Sequence, residues 1–279
     1  MPQQARLQVN MRPQHAVNHF IFLPPSMKLK ERSIAAALHL LASLSIASLA
    51  AVLVFFVWYP YPYREVAGGR ELFLLIVAVD LVVGPLLTFV VFNRSKPRQE
   101  LWRDLCIIGV LQLAALCYGV WTVFTVRPIY LVHEVDRFRV VTAADIDPAE
   151  LSQALPKFQK IPLFGISVIG VRKARDSDEM MHSIDLAIGG KDISMTPGRW
   201  QDLDAPNHKQ ILERARSADF LRTRAGDGGA AIDQIIRDAG LKNTDVIALP
   251  LVSLRHTDWS VLLNRQDLSI IGYLPIDSF

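Results

Sequence analysis

Three long apolar runs in the first half of the sequence constrain the fold of this chain more than any other feature. They cover residues 34–59, 72–92 and 105–126, and Asp80 is the only Asp, Glu, Lys or Arg within them. Because about 20 helical residues cross the ~30 Å hydrocarbon core, each run is long enough to span a membrane. The first run is too long for the apolar region of a cleaved signal peptide. The sequence therefore predicts three transmembrane helices.

Composition supports a membrane protein and excludes two other classes. The chain is 51% hydrophobic and 20% charged, with a mean hydropathy of +0.25. Soluble domains usually carry about 25% charged residues, and disordered chains are poor in apolar residues. Two cysteines in 279 residues exclude a small domain held by disulfides. The net charge is +6 over residues 1–128 and −3 over residues 129–279, so we expect a soluble domain after a membrane region.

Basic residues between the apolar runs predict the orientation of the spans. The loop between the first two runs has only Arg64 and Arg70 as basic residues. The segment before the first run and the loop between the second and third runs carry more basic residues: Lys28, Lys30, Arg32, Arg94, Lys96, Arg98 and Arg103. The positive-inside rule places the N-terminus and the 93–104 loop in the cytoplasm. In a bacterium with two membranes, this predicts a multi-pass inner-membrane protein with a periplasmic domain at 129–279.

Residues 1–26 have no hydrophobic periodicity and contain four prolines. We interpret them as a disordered cytoplasmic tail ahead of a membrane region at 27–128. Met27 directly precedes the basic residues of the first span, so Met1, Met11 and Met27 are all candidate starts.

Asp80 is costly within a membrane, and such residues are functional by default. It shares a helical face with Gly84 and Thr88, and Pro85 predicts a kink beside them. Three roles for Asp80 are open: hydrogen bonding within this bundle, contact with a foreign transmembrane helix, and ion transport. By axial position, neighbours within the bundle would be Ser45, Ser48 and Tyr118. The stripe Asp80, Gly84 and Thr88 is the candidate partner-helix contact.

The third span carries a second stripe of small and polar residues: Gly109, Gln112, Ala115 and Gly119. Stripes of this kind let another helix approach closely. Cys106 and Cys117 lie on the opposite side, about 16 Å apart along the helix axis, which is too far for a disulfide.

The second half alternates helical and strand patterns, which predicts an α+β domain with C-terminal antiparallel strands. Residues 129–142 are typical of a hairpin, and Asp147 before Pro148 is typical of a helix start. Helices are predicted at 176–187, 207–217 and 229–241. Strands are predicted at 166–171, 245–254, 259–264 and 268–274.

The sequence contains no nucleophile elbow, zinc-protease motif, phosphate-binding loop or calcium loop. Its histidines are scattered rather than spaced as metal ligands. We therefore predict no catalytic residues and no metal site. Because the soluble half is net negative, we also expect no nucleic-acid binding.

Short motifs in fixed order from Lys28 to about Val141 resemble one known family. They lie on all three spans and the first hairpin: Trp58-Tyr59-Pro60, Pro62-Tyr63, Gly68-Gly69-Arg70-Glu71-Leu72-Phe73, Val79-Asp80, Gly84-Pro85-Leu86-Leu87-Thr88, Arg103-Asp104-Leu105, Arg127-Pro128-Ile129-Tyr130 and Glu134-Val135-Asp136-Arg137-Phe138. The chain resembles the type IV pilin accessory proteins of the TfpX/TfpZ type. The last ~130 residues match only loosely.

The resemblance implies a non-enzymatic inner-membrane factor, without a cofactor or small-molecule substrate, that helps a cognate type IV pilin remain stable or assemble. Its implied partners are that pilin, major or minor, and the membrane lipids. The outer-loop residues given a structural or interaction role are Trp58, Tyr63, Gly68, Gly69 and Arg70. Two other functions stay open: a membrane sensor with a periplasmic ligand-binding domain, and a membrane enzyme acting on envelope substrates.

Overall fold

Three helices long and apolar enough to cross a membrane form the first half of the computed structural model, which describes residues 25–279. They are α1 at Pro25–Val52, α3 at Gly69–Val91 and α4 at Arg98–Thr125, with the short helix α2 at Tyr63–Val66 between the first two. Helix α1 continues through a wider π-helical segment at Leu53–Trp58. The predicted spans are confirmed as helices of membrane length, and each begins several residues earlier than predicted. Residues 1–24, with most of the predicted tail, lie outside the described residues.

Helix α3 is the middle of the three, because it packs against both α1 and α4. It stays continuous through Pro85, so the proline does not end it. At one end of the helices, residues 59–68 form the outer loop; at the other end, residues 92–97 form the inner loop.

The second half is a head built on one mixed sheet. Its strands are β1 at Pro128–Glu134, β2 at Arg137–Thr142, β3 at Ser167–Val171, β4 at Trp200–Gln201, β5 at Arg216–Ser217, β6 at Val246–Val252, β7 at Trp259–Asn264 and β8 at Ile270–Leu274. The sheet order is β4-β3-β1-β2-β6-β7-β8, and β5 pairs with β6. The predicted hairpin and the antiparallel closing strands are confirmed. Two parallel pairs, β1 with β3 and β2 with β6, were not predicted.

Helices cover the sheet, so its central strands are buried on both faces, as in sheets with parallel pairs. They are α5 at Ser177–Ile188, α6 at Ala205–Arg214, α7 at Ala218–Ala225 and α8 at Gly229–Asp238. Short 3₁₀ turns lie at Ala143–Asp145, Pro148–Gln153, Pro156–Phe158, Ile193–Met195, Pro197–Arg199, Gly226–Gly228 and Asn243–Asp245. Asp147 caps its 3₁₀ turn as predicted, whereas α7 was not predicted.

Helix α5 presents its apolar side outwards. Met180, Met181 and Ile184 share this side, and all three are exposed. The opposite, polar side is held inward because Glu179 forms an ion pair of 2.6 Å with Arg172.

The register of the strands fixes which end of the head meets the helices. Strand β1 follows α4 directly and runs away from it, so β3, parallel to β1, runs the same way. Strands β2 and β6 run back towards the helices. The start of β3 and the end of β6 therefore lie at the helix end of the head, and the β7–β8 turn lies at the far end.

Candidate functional site

Asp80 lies inside the helix layer, with 9% of its surface exposed. The Gln112 side chain on α4 donates from Nε2 to Asp80 Oδ1 and to the Asp80 carbonyl oxygen, both at 3.1 Å. The expected neighbours are not its partners: the Ser45 and Ser48 hydroxyls donate to carbonyls of their own helix. The structure therefore brings together two stripes that the sequence identified separately.

The rest of the Asp80 stripe is also engaged within the helix layer. A Cβ atom on Gly84 would collide with the Gln112 side chain, so only glycine lets α4 approach this closely. Thr88 is buried, and its hydroxyl lies 2.6 Å from His39 Nδ1 on α1. In this conformation Gly84 faces α4 and Thr88 faces α1. Contact of the stripe with a foreign helix stays a prediction.

An apolar groove runs between α3 and α4 beside this pair. It has a volume of about 550 Å³, and Asp80 and Gln112 lie in it. Its apolar walls include Leu75, Val79, Val83, Leu111, Ala115 and Tyr118. Along α3 the lining runs from Leu72 to Leu87, about 22 Å at 1.5 Å per residue, which is most of the hydrocarbon core.

One polar atom in the groove has no partner. Gln112 Oε1 is buried and accepts no hydrogen bond from any residue in the described part of the chain. An unpartnered buried acceptor costs free energy, and the cost is greater in hydrocarbon than at a wet surface. This oxygen is covered by α3 next to Gly84, so the exposed surface of the groove is almost entirely apolar.

The outer loop is part of the core of the head. Tyr63 and Val66 are buried in the cluster that contains Leu131, Phe138 and Leu251 of the sheet. The Tyr63 hydroxyl lies 3.2 Å from that of Tyr273, and the Ser253 hydroxyl donates to the Val66 carbonyl at 2.7 Å. Burial raises the pKa of Tyr63, so its phenol stays neutral.

Glycines at the start of α3 allow this close packing. Gly68 has a φ of +73°, and a Cβ there would lie 2.7 Å from the Arg255 side chain. A Cβ on Gly69 would collide with the Tyr59 ring. The other outer-loop candidates differ: Trp58 packs on Phe124 with ring centres 5.0 Å apart. Arg70 is exposed and forms an ion pair of 3.3 Å with Glu65.

Arg127 joins α4 to the head. Its guanidinium donates to the Phe124 carbonyl at the end of α4, at 2.8 Å, and to the Pro162 carbonyl in the head, at 2.7 Å. It also lies over the Phe124 ring, 3.8 Å from the ring centre. Burial lowers its pKa from that of an exposed arginine.

Two neighbouring titratable side chains of the head, His133 and Glu134, are buried. No group of three or more His, Cys, Asp or Glu side chains within residues 25–279 could hold a metal ion. His133 is fully buried, and burial lowers its pKa to about 4. Neighbouring Glu134 is also buried, which raises its pKa, and it accepts from the Ser194 backbone N–H at 3.1 Å.

Three helices long and apolar enough to cross a membrane pack at one end against a mixed-sheet head, and a groove lies between two of them. These features define the class of protein: a bundle of membrane-length helices joined to a head domain. Comparison with known proteins gives the family. The family described as Fimbrial assembly protein FimB matches residues 27–68, which are α1 and the outer loop up to the start of α3. The match therefore ends where the buried outer loop ends.

Curated relatives match nearly the whole chain. The fimbrial assembly protein of Dichelobacter nodosus serogroup I is 36% identical over 248 residues, covering 87% of this chain and 94% of the relative. The protein of serogroup E1 is 34% identical over the same shares. That of serogroups C1 and C2 is 43% identical over 117 residues, or 42% of this chain and 89% of the relative. No solved structure matches. The chain belongs to the fimbrial assembly protein family of type IV pili, which confirms the resemblance.

Proposed function

We propose that this protein is a non-enzymatic accessory factor of the bacterial inner membrane that holds a type IV pilin subunit before or during pilus assembly. The observation that carries the proposal is membership of the fimbrial assembly family over 87% of the chain. The names of these relatives describe assembly rather than a reaction. The handling of a pilin and the membrane location are our inferences.

The proposed orientation places the inner loop in the cytoplasm and the head in the periplasm. The inner loop and the start of α4 carry Arg94, Lys96, Arg98 and Arg103, as the positive-inside rule requires. The outer loop and the end of α4 both contact the head, so one orientation accounts for all three helices.

We propose that the groove between α3 and α4 holds the single transmembrane helix of the pilin. The groove is apolar and extends over most of a membrane thickness, which fits a helix rather than a compact ligand. The same groove would release the pilin readily, because its walls offer packing and few polar contacts.

The first experiment is an in-frame deletion in the native host, scored for surface pili by microscopy and for total pilin by immunoblot. We expect pili to be lost or sparse. The blot then separates lost pilin stability from a block in assembly. Unchanged pili and pilin would overturn the accessory function and bring forward a sensor or an envelope enzyme.

A matched pair of variants tests the groove. Ala115 lines it, and the neighbouring Ala114 is exposed on α4 outside it. Ala115→Phe should reduce piliation by filling the groove, and Ala114→Phe should leave it normal at equal protein levels. A photo-crosslinking residue at position 115, but not at 114, should capture pilin. Equal piliation and equal crosslinking for the two positions would exclude the groove as the pilin site.

A further inference from the structure

Two loops at the helix end of the head expose large apolar side chains. In the first, Leu163 is 58% exposed and Phe164 is 67% exposed; in the second, Leu254 is 68% exposed. In the sheet order the two loops lie on either side of the β1–β2 hairpin, because they adjoin β3 and β6. Exposed apolar side chains at loop tips that share one end of a domain indicate an interaction surface.

The first loop is held rigidly at its base. Ile161 and Ile166, on either side of the tip, pack against two different core clusters of the head. Gly165 has a φ of +77°, which lets the chain reverse directly after Phe164. Leu163 and Phe164 therefore project from a fixed support.

The position of the tip is set by the outer end of α4. Arg127, two residues after α4 ends, donates to the carbonyl of Pro162, the residue directly before Leu163. Helix α4 is one of the three helices of membrane length, so in the orientation proposed above its end lies at the membrane surface. The second loop is placed in the same way, since Ser253 beside Leu254 is bonded to Val66 of the outer loop.

Charge at the two tips agrees with a phospholipid surface. Lys160, three residues before Leu163, and Arg255, directly after Leu254, are both exposed. Cations flanking short apolar tips suit the headgroup region, where phosphates lie above the acyl chains.

We propose that Leu163 and Phe164 insert into the outer leaflet of the phospholipid bilayer, with Leu254 at the same level beyond the hairpin. The head is then held against the membrane at two points besides its covalent connection, which fixes its orientation relative to the helices. This inference rests on the membrane location proposed above, and it does not depend on the pilin.

The test places a fluorophore at the tip of the first loop in the full chain. Cys106 and Cys117 are the only cysteines and are replaced by serine, after which Phe164→Cys is labelled with an environment-sensitive nitrobenzoxadiazole dye. The protein is reconstituted into vesicles of phosphatidylethanolamine and phosphatidylglycerol. The aqueous control is Gln266→Cys in the exposed β7–β8 turn at the far end of the head. The membrane control is a variant that keeps native Cys117, exposed on α4.

We expect the dye at position 164 to be blue-shifted and quenched several-fold more strongly by lipids with a nitroxide near the headgroup than the dye at 266. Iodide should quench it less. A dye at 164 that behaves like the dye at 266, while Cys117 reports lipid, would overturn the inference and leave the membrane location intact. If Cys117 also reports water, the membrane location itself fails. A blue-shifted dye that nitroxide lipids do not quench would show protein at the tip, which also overturns lipid insertion; Leu163→Cys should repeat the result at 164.

Discussion

The two loops that join the membrane-length helices are held in opposite ways. The outer loop is apolar and buried: Tyr63 and Val66 belong to the same core cluster as four strands of the head. The inner loop is polar, and none of its residues is fully buried. It is held by ion pairs of 2.8 Å between Lys96 and Asp104 and of 3.4 Å between Arg94 and Glu31.

The difference between the two loops indicates that they have different roles: the outer loop stabilises the fold, and the inner loop can set the orientation in the membrane. Burial fixes how the outer ends of the helices meet the head, because apolar packing tolerates little displacement. Exposed ion pairs contribute little stability, so the charges of the inner loop can serve membrane orientation without constraining the fold. The family match over residues 27–68 covers the helix and loop of the buried end.

Removal of the Tyr63 side chain should have the largest effect on stability. Truncating a buried aromatic residue to alanine costs about 3–5 kcal/mol, so Tyr63→Ala should lower the melting temperature in detergent strongly. Tyr63→Phe removes only the hydroxyl contact with Tyr273 and should cost about 1 kcal/mol. If Tyr63→Ala is as stable as the wild type, the outer loop is not part of the core.

Acid should lower the free energy of unfolding of the head through protonation of His133. Burial, with a smaller effect of His208, lowers its pKa from 6.5 to about 4, while Asp136 acts in the opposite direction. The unfolded chain therefore binds a proton that the folded chain excludes. The contribution of neutral His133 to the free energy of unfolding is complete above pH 6.5 and is lost as the pH falls towards 4. The total loss is roughly 3 kcal/mol, at about 1.4 kcal/mol per pKa unit.

His133→Leu, which cannot be protonated, is the matched comparison for this pH dependence. Its unfolding free energy, measured from pH 7.5 to 4 in detergent, should fall less steeply than that of the wild type. Glu134 has a raised pKa and opposes the trend, but it is present in both proteins, so the difference isolates His133. Parallel curves for the two proteins would contradict this assignment. A label in the outer loop should report loosening over the same pH range, because that loop shares the core of the head.

Local patterns predict the helices and closing strands well. Membrane thickness sets the length of an apolar run, so the ends of the three helices are found within one residue, whereas their starts lie three to nine residues before the predicted ones. The strand at Trp259–Asn264 agrees with its prediction residue for residue, since turn residues bound it on both sides. The partners of these elements are not local. The contact of Tyr63 with Tyr273 joins residues 210 positions apart, and nothing near Tyr63 indicates it.

The intramembrane pair shows the same limit. Both Asp80 and Gln112 stand out in the sequence, because polar residues in apolar runs are rare. Counting residues along the helices puts Asp80 level with Tyr118, six residues from its actual partner. The tilt and rotation of packed helices shift such levels, and they are set by side-chain packing that one sequence does not reveal.

Loss of the Gln112 amide should have a moderate effect. Gln112→Leu leaves the Asp80 carboxyl without its side-chain donor, and hydrogen bonds between membrane helices average about 0.6 kcal/mol with a maximum near 1.7. The melting temperature should therefore fall slightly, whereas Ala114→Leu on the exposed side of α4 should leave it unchanged. A more stable Gln112→Leu variant would mean that the Asp80 carboxyl has another hydrogen-bond partner.

The smallest effect should come from the inner loop, and it tests the comparison most directly. Arg94→Ala removes an exposed ion pair with Glu31, which should cost no more than about 1 kcal/mol and disappear in high salt. Glu31→Ala removes the same pair from its other side and should give the same small change. Both are measured by melting in detergent at low and high salt, next to Tyr63→Ala. A loss for Arg94→Ala that approaches the loss for Tyr63→Ala, or that persists in salt, would show that the inner loop also carries the fold. The conclusion that the outer loop stabilises the fold while the inner loop serves only orientation would then be wrong.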